Sequence, residues 1–463
     1  MITRDEIELK AQEFEIHEAN VERDYIFGWL LAGIYTISEL KDILILKGGN
    51  CLRKSYFINT RFSNDLDFST QSAIEETFLL RELNKVCDFI QSQTDVVFEK
   101  DRNKVEKELI IDAERKVYQA KLYFKDFYGN PETITISIKL DVTEFDKIYL
   151  PIQSRFLIHP YSDVDQCKAE IKCLKLEEIL ATKLKCLLQR RHSFDLYDYI
   201  YSIFINKEID VQRSEIVSIF LKKTIFESDP VVVKNIFLEL PFEFFRGIWH
   251  KYIVCPKISI IDFDFAIQNF KLNIEELFGS FAPRYSRLPY FPANLRNPII
   301  EAGFNMNLLA IVYDGIRRIV EPYSLTYKRR KDGIGQEYFY AYDRTGGRTS
   351  GPGIKCFINT KIESIESLQE KFIPRFPVEL SKAGEFGGKT YFGSPFTISR
   401  SSYLTPRKTR NFGGYKSGIT YIFECSYCGR KFRKSKYDAK LGEHQDKYKN
   451  RCYGRIGYLV DQR

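Results

Sequence analysis

The stretch KGGNCLRKSYFINTRFSNDLDF, Lys47–Phe68, follows a short apolar run, Ile43–Leu46. The run reads as a strand ended by Gly48-Gly49. A diglycine after a strand has no Cβ to hold a triphosphate away from the backbone. Amides at the helix start that follows are then free to bind phosphate oxygens. About sixteen residues on, Asp65-Leu66-Asp67-Phe68 reads as a second short strand. Carboxylates at i and i+2 of a strand share one face. Such a pair suits Mg²⁺, a hard cation that takes carboxylate and phosphate oxygens. A third carboxylate on a neighbouring strand would complete a site for in-line phosphoryl transfer. Ile134, Ile136, Ile138 and Leu140 alternate with Thr135, Ser137, Lys139 and Asp141, the period of a half-buried strand. Asp141 stands on its polar face and fits the third position. Taken singly, a Gly-Gly turn or an Asp-x-Asp pair is ordinary surface chemistry. Their order and spacing carry the signal.

Working outward, residues 1–40 predict two helices. Asp5 and Glu6 open the first, and Tyr25–Leu40 forms a second, largely buried one. Leu174–Gln189 is a strongly amphipathic helix, and another follows from about Phe194.

These residues together resemble the AbiEii/AbiGii toxin family, nucleotidyltransferases of the DNA polymerase β-like superfamily. The resemblance runs from Val21-Glu22-Arg23-Asp24-Tyr25, through Lys47-Gly48-Gly49 and Leu52-Arg53-Lys54, to Arg61–Phe68. It resumes in KLEEILATKLKCLLQRRHSFDLYDY, Lys175–Tyr199. There Glu178, Lys183, Arg190, Asp195 and Asp198 fall on the family's polar helix face and its Asp-Leu-x-Asp element. The resemblance covers roughly the first 205 residues. It implies an α/β (α+β) nucleotidyltransferase core with a small mixed sheet over residues 1–205. It also implies Mg²⁺-dependent transfer of a nucleoside monophosphate from an NTP, with the 3′ acceptor end of tRNA as the leading target. A toxin–antitoxin or phage-defence setting and a cognate antitoxin follow from the same likeness.

By that resemblance Asp65, Asp67 and Asp141 are catalytic, the first two as metal ligands. Lys47, Gly48, Gly49, Asn50, Arg61, Ser63 and Arg190 would bind nucleotide. Asn50 replaces the Thr or Ser that many relatives carry after the diglycine, and its amide can still donate to phosphate. Lys183 would present a point charge to the triphosphate. Asp195 and Asp198 share a helix face. One would anchor Lys183 or Arg190 and the other would act on the acceptor hydroxyl.

Beyond residue 205 the pattern changes. Residues 206–310 are helical in pattern. Residues 311–380 hold short strand-like runs separated by Asp332-Gly333, Gly346-Gly347 and Gly351-Pro352-Gly353, the turn chemistry of a small β-barrel-like domain. Arg317-Arg318, Val320-Glu321-Pro322, the YFYAYD run and the IESI strand resemble a WYL-type domain, although the tripeptide itself is absent. Residues 381–420 read as a linker. Residues 421–463 form a zinc-ribbon-like module: Cys425 and Cys428 precede His444 and Cys452, three thiolates and an imidazole for a structural tetrahedral Zn²⁺.

Charge follows this division. Ser401–Arg463 holds 15 Lys and Arg against 5 Asp and Glu, a net +10, while the first 400 residues carry a net −2. In the last module Arg430, Lys431, Arg433, Lys434, Lys447, Lys449 and Arg451 interleave with Tyr427, Phe432, Tyr437 and Tyr448. Cations alternating with aromatics suit the phosphates and unstacked bases of RNA. Hydrophobic residues at 44% and charged residues at 29% exclude a wholly disordered or fibrous chain. The longest nearly apolar run, Tyr25–Ile37, is too short to span a bilayer, so no membrane partner and a cytoplasmic location are expected. The resulting expectation is an NTP-using toxin with RNA as acceptor. The alternatives are nucleotidylation of a protein, or a nucleic-acid-binding sensor with a vestigial site.

Overall fold

The computed structural model describes residues 2–462 apart from 111–115, 126–134, 191, 207, 282–288, 330–334, 348–349, 377, 381–382, 385–420, 426–429, 435–439, 446–450 and 453–456. The expected linker 381–420 therefore lies, but for Ala383 and Gly384, outside the described residues.

The chain opens with α1 (Arg4–Phe14), capped by the Thr3 hydroxyl, which accepts from the Glu6 amide at 3.2 Å. Helix α2 (Glu18–Thr36) starts seven residues earlier than the apolar pattern predicts. The cause is His17, whose Nδ1 accepts from the Ala19 amide at 3.1 Å. From Tyr25 to Tyr35 every residue of α2 is buried, as in a helix enclosed on all sides.

Seven strands form one mixed sheet: β1 (Ile45–Lys47), β2 (Asp65–Thr70), β3 (Lys104–Ile110), β4 (Lys116–Lys125), β5 (Thr135–Glu144), β6 (Gln153–Phe156) and β7 (Glu170–Cys173). Their order is β3-β4-β5-β2-β1-β7-β6. Strand β2 lies at its centre, antiparallel to β1 and parallel to β5. The sequence pattern located β1, β2 and β5 and missed the other four. Strand β4 was visible in principle: Tyr118, Ala120, Leu122 and Phe124 are buried and alternate with polar residues. Between β1 and β2 lies α3 (Gly48–Cys51), continued by a π-helical turn, Leu52–Tyr56. Helix α4 (Glu76–Thr94) packs on α2.

Helices α5 (Leu176–Gln189) and α6 (Ser193–Ile200) follow the sheet. The middle region is helical as expected: α7 (Arg213–Lys222), α8 (Pro230–Leu238), α9 (Phe242–Tyr252) and α10 (Phe263–Phe278). They share one apolar core with the sheet, through Leu184, Leu196, Phe220, Phe237 and Phe270.

Helix α11 (Ala293–Asn305) packs on a second sheet: β8 (Asn307–Tyr313), β9 (Ile316–Arg329), β10 (Gly335–Asp343), β11 (Gly353–Phe357) and β12 (Ile362–Lys371). Its order is β11-β10-β9-β8-β12, antiparallel throughout. Of the small antiparallel barrel or sheet that the turns suggest, the described residues form an open sheet, in which β11 and β12 do not pair. Strand β12 is exposed along most of its length and carries Glu363, Glu366 and Glu370, which blunts that edge. Strand β9 bulges at Tyr323, after Pro322, which has no N–H to donate to the ladder.

The last module pairs β13 (Tyr421–Cys425) with β14 (Lys431–Lys434), and β15 (His444–Gln445) with β16 (Arg451–Cys452). Strand β17 (Gly457–Gln462) joins the other side of β13. No helix among the described residues is long and apolar enough to cross a membrane.

One charge pair lies wholly inside the second module. Arg296 on α11 and Glu337 on β10 are both fully buried, and Arg296 Nη1 donates to the two carboxylate oxygens at 2.7 and 2.8 Å. The Phe291 amide adds a third bond at 2.8 Å. Removing one partner strands the other charge, at a cost of about 3–5 kcal/mol. Arg296→Met is therefore expected to lower the urea midpoint sharply. Arg296→Met with Glu337→Leu is expected to recover much of the loss. A single variant of unchanged stability would contradict the buried pair.

Candidate active site

The registers of three strands place the site. Lys47 on β1 lies opposite Asp67 on β2, and Asp67 lies opposite Asp141 on β5. Leu66 and Phe68 are buried below, so Asp65 and Asp67 share the upper face, each partly exposed. Gly48 sits beside them with φ +75°, a left-handed conformation suited to glycine. A Cβ there would lie 2.2 Å from Asp67 Oδ2. At Gly49 it would meet Arg61 Nη2 at 2.7 Å and Ser63 Oγ at 2.9 Å. The diglycine is thus needed twice, and it brings backbone, carboxylates and a guanidinium into one small space.

The nucleotide-binding expectations divide. Gly48 lies against Asp67, and Gly49 against Arg61 and Ser63. The Lys47 ammonium points along the sheet to Asp146 Oδ2 at 2.8 Å and Thr143 Oγ1 at 3.1 Å. Asn50 is buried, and its Nδ2 donates to the Asp65 carbonyl at 2.6 Å, bracing β2 from below. Ser63 donates to Asp65 Oδ1 at 3.3 Å. Lys139 donates to Asp141 Oδ2 at 2.7 Å, while Asp141 Oδ1 has no hydrogen-bond partner among the described residues. Lys139 and Asp146 escaped the sequence reading. Lys139 was findable, being two residues before Asp141 on the same strand face.

Behind the carboxylates stands a buried network. Arg61 binds both oxygens of Asp198, at 2.7 and 2.8 Å. Lys183 lies 2.6 Å from Asp198 Oδ2 and 3.1 Å from Asp195 Oδ1. Arg190 closes the set with two bonds of 2.9 Å to Asp195. Three cations and two anions leave one net positive charge beside the Asp65–Asp67–Asp141 face. Burial opposes ionisation of Asp195, yet Arg190 and Lys183 hold its carboxyl below the usual carboxylate range. Asp198 is lowered likewise, against burial, by Arg61 and Lys183. Both aspartates are fully buried and each is paired with cations, Asp195 with Lys183 and Arg190 and Asp198 with Lys183 and Arg61. Arg190 differs, since its side chain is 47% exposed and can present its outer edge to a phosphate.

The acidic face fits a hard divalent cation. Burial, then Asp65 and Asp141, raise the Asp67 carboxyl to about 7, against the pull of Lys47 and Arg190. A carboxylate crowded in this way is one that a cation among three aspartates would relieve.

At the far end of the chain, Cys425, His444 and Cys452 bring their ligand atoms within 4.8 Å of one another. His444 Nδ1 is 2.9 Å from the Gly442 carbonyl, a contact of the kind that orients a ligating ring. Two soft thiolates and an imidazole fit zinc. Cys428, the fourth expected ligand, lies outside the described residues, as do Tyr427, Tyr437 and Tyr448.

A strand–diglycine–helix unit with paired carboxylates and a cationic backing suits chemistry on a phosphate-bearing substrate. The family model described as "Nucleotidyl transferase AbiEii toxin, Type IV TA system" matches residues 29–246, nearly half the chain and all of this site. Over those residues the chain is similar to that family, and it is a nucleotidyltransferase. Among curated proteins, none matches the chain. Among solved structures it is similar to MenT4, a nucleotidyltransferase toxin from Mycobacterium tuberculosis H37Rv, over 61% of this chain and 91% of that one. The identity is 15% and the TM-score 0.41. At those values the likeness adds nothing to the assignment, which the family match carries.

The raised Asp67 carboxyl has a consequence for pH. Its folded value, about 7, exceeds the ordinary 3.8. The stability it contributes is full below about pH 4 and lost as pH rises through 7. In cation-free buffer Asp67→Asn is therefore expected to raise Tm at pH 8 and to change it least at pH 5. Added Mg²⁺ should shrink the difference at pH 8. A Tm gain independent of pH would contradict the crowding of Asp67.

Proposed function

We propose that this chain transfers a nucleoside monophosphate from an NTP, with Mg²⁺, to the 3′ end of an RNA, tRNA foremost. In this reading it is a toxin restrained by a cognate antitoxin, which accords with the type IV toxin–antitoxin description of the matching family. The observation that carries the chemistry is the row Lys47–Asp67–Asp141 beside Gly48-Gly49. The RNA acceptor is supported by the basic, aromatic C-terminal module. Zinc, held by Cys425, Cys428, His444 and Cys452, would fold that module.

Asp65, Asp67 and Asp141 would hold the magnesium, which when bound supplies Lewis-acid stabilisation of charge on the reacting phosphate. The chain's residues do the rest. Gly48 lets the backbone approach the triphosphate closely. Arg190 offers its exposed edge to phosphate oxygens, with Lys183 and Arg61 supporting its charge from behind. The acceptor oxygen bonds to the α-phosphorus, the bond to the bridging oxygen breaks, and pyrophosphate leaves with the electron pair. Asp141 would take the acceptor proton.

Two experiments test this. Incubation with labelled NTPs and total RNA is expected to label RNA. Asp65→Ala or Asp67→Asn should cut the rate about a thousandfold, the equivalent of about 4 kcal/mol, and abolish toxicity at equal expression. A toxic Asp67→Asn variant would refute the metal site. Label in protein instead would make a protein the acceptor, and no label at all would leave a sensor. Separately, Cys452→Ser is expected to release zinc, weaken RNA binding and flatten its salt dependence, with NTP binding retained. Unchanged RNA affinity would leave the module a structural element.

A further inference from the structure

The polar face of the first sheet continues beyond the carboxylates. The strand registers carry it on in one straight row. Asp65 on β2 lies opposite Lys139 on β5, Lys139 opposite Lys121 on β4, and Lys121 opposite Lys104 on β3. Residues directly opposite each other project from the same face of a sheet, so the three lysines share the face of Asp65, Asp67 and Asp141. The other face of these strands is core, with Leu66, Leu140, Ala120 and Leu122 buried. Lys139 and Lys121 are partly exposed and Lys104 is exposed. Lys125 follows Lys121 on the same face of β4 and is also partly exposed.

Folding alone does not account for the row. Like charges directly opposite on neighbouring strands are destabilising, and here two such pairs stand in succession. Lysines protect sheet edges, but of these strands only β3 is an edge, and β4 and β5 are interior. Lys139 donates to Asp141 Oδ2 at 2.7 Å, and Lys121 and Lys104 engage neighbours of their own. Surface ion pairs are worth about 1 kcal/mol or less, so an incoming anion can displace such contacts. A polyanion laid along the row would turn its repulsion into attraction.

Direction identifies the anion. The order β5-β2-β1 puts the diglycine on one side of the carboxylates and the lysines on the other. In the function proposed above, the triphosphate lies on the Gly48 side. In-line displacement sets the entering and leaving oxygens on opposite sides of the phosphorus. Pyrophosphate then leaves toward the diglycine, and the acceptor enters over β5. Neighbouring strands are about 4.8 Å apart, so the row reaches about 14 Å from Asp65. One phosphate at the metal cannot use its far end, whereas the successive phosphates of a nucleic acid strand can.

We propose that Lys139, Lys121 and Lys104 guide the phosphate backbone of the RNA acceptor across the β3-β4-β5 face to the carboxylates. The proposal rests on RNA being the acceptor.

The test uses the full chain, a fluorescein-labelled RNA hairpin with a single-stranded 3′ end, and a double variant, Lys104→Gln with Lys121→Gln. Lys139 is left intact because it touches Asp141. In anisotropy titrations without NTP, the double variant is expected to bind RNA about tenfold more weakly. Its salt slope should be shallower by about 1.4, from two lost charges at about 0.7 each. The loss should be the same for hairpins of different sequence, as backbone contacts require. In turnover, the KM for RNA should rise, with kcat and the KM for NTP unchanged. Lys104→Arg with Lys121→Arg should keep the wild-type values. Wild-type RNA affinity and slope in the Gln variant would overturn the proposal. So would a raised KM for NTP with unchanged RNA binding, which would give the row to the triphosphate. If the binding loss appears and no RNA is ever labelled, the RNA-acceptor reading fails, while the hold of the row on RNA is upheld.

Discussion

Asp65, Asp67 and Asp141 crowd one face of two parallel strands, and the repulsion among them governs what surrounds them. Burial first, and then the neighbouring charges of Asp65 and Asp141, push the Asp67 carboxyl up. The arrangement depends on register. A slip of one residue between β2 and β5 would turn one set of carboxylates into the core and Leu66 or Leu140 out of it. Burial of Leu66, Phe68, Leu140 and Val142 makes that slip costly, so the apolar half of each strand holds the acidic half in place. Gly48 completes the arrangement, because no side chain fits between its Cα and Asp67.

The second constraint is the ion-pair network behind the acids. Arg61 comes from the loop before β2, Lys183 and Arg190 from α5 and its end, and Asp195 and Asp198 from α6. The Arg61–Asp198 pair therefore ties the loop before β2 to α6, and the Lys183 and Arg190 pairs fasten α5 to α6. Lys183 keeps its charge in spite of burial because two aspartates face it. A second buried cluster does similar work at the other end of α3. Asp24 on α2 pairs with Arg53 at 2.6 Å and with Lys54 at 2.9 Å, and Tyr161 donates to it at 2.8 Å. That cluster orients the helical run that begins at Gly48. Removing one member of such a set typically costs several kcal/mol, so these residues hold the geometry in which Gly48 and the acids meet.

Much of the site was legible because local chemistry wrote it. The diglycine, the Asp-x-Asp pair and the alternation ending at Asp141 are each short-range patterns. Their meeting in one row is a matter of pairing across about 75 residues between β2 and β5, which no local period reveals. Roles suffered more than positions. Lys47 and Asn50 look like phosphate binders in sequence, and the fold also gives them Asp146 and the Asp65 carbonyl as partners. Asp195 and Asp198 read alike as helix carboxylates, and only the fold buries both against Lys183, Arg61 and Arg190. The second sheet was located by its turns, while β8 was hidden in a segment whose apolar run suits helix and strand equally. The lysine row was invisible because only strand pairing brings Lys104, Lys121 and Lys139 level.

The central claim is that one cation and one triphosphate share the face formed by β1, β2 and β5. The direct measurement is a crystal structure of the full chain with Mn²⁺ and a non-hydrolysable NTP, located by anomalous scattering. The account predicts a manganese peak among Asp65, Asp67 and Asp141, with phosphate oxygens on the metal and against Gly48. A peak elsewhere, or a triphosphate bound away from Gly48 with these carboxylates unliganded, would contradict it.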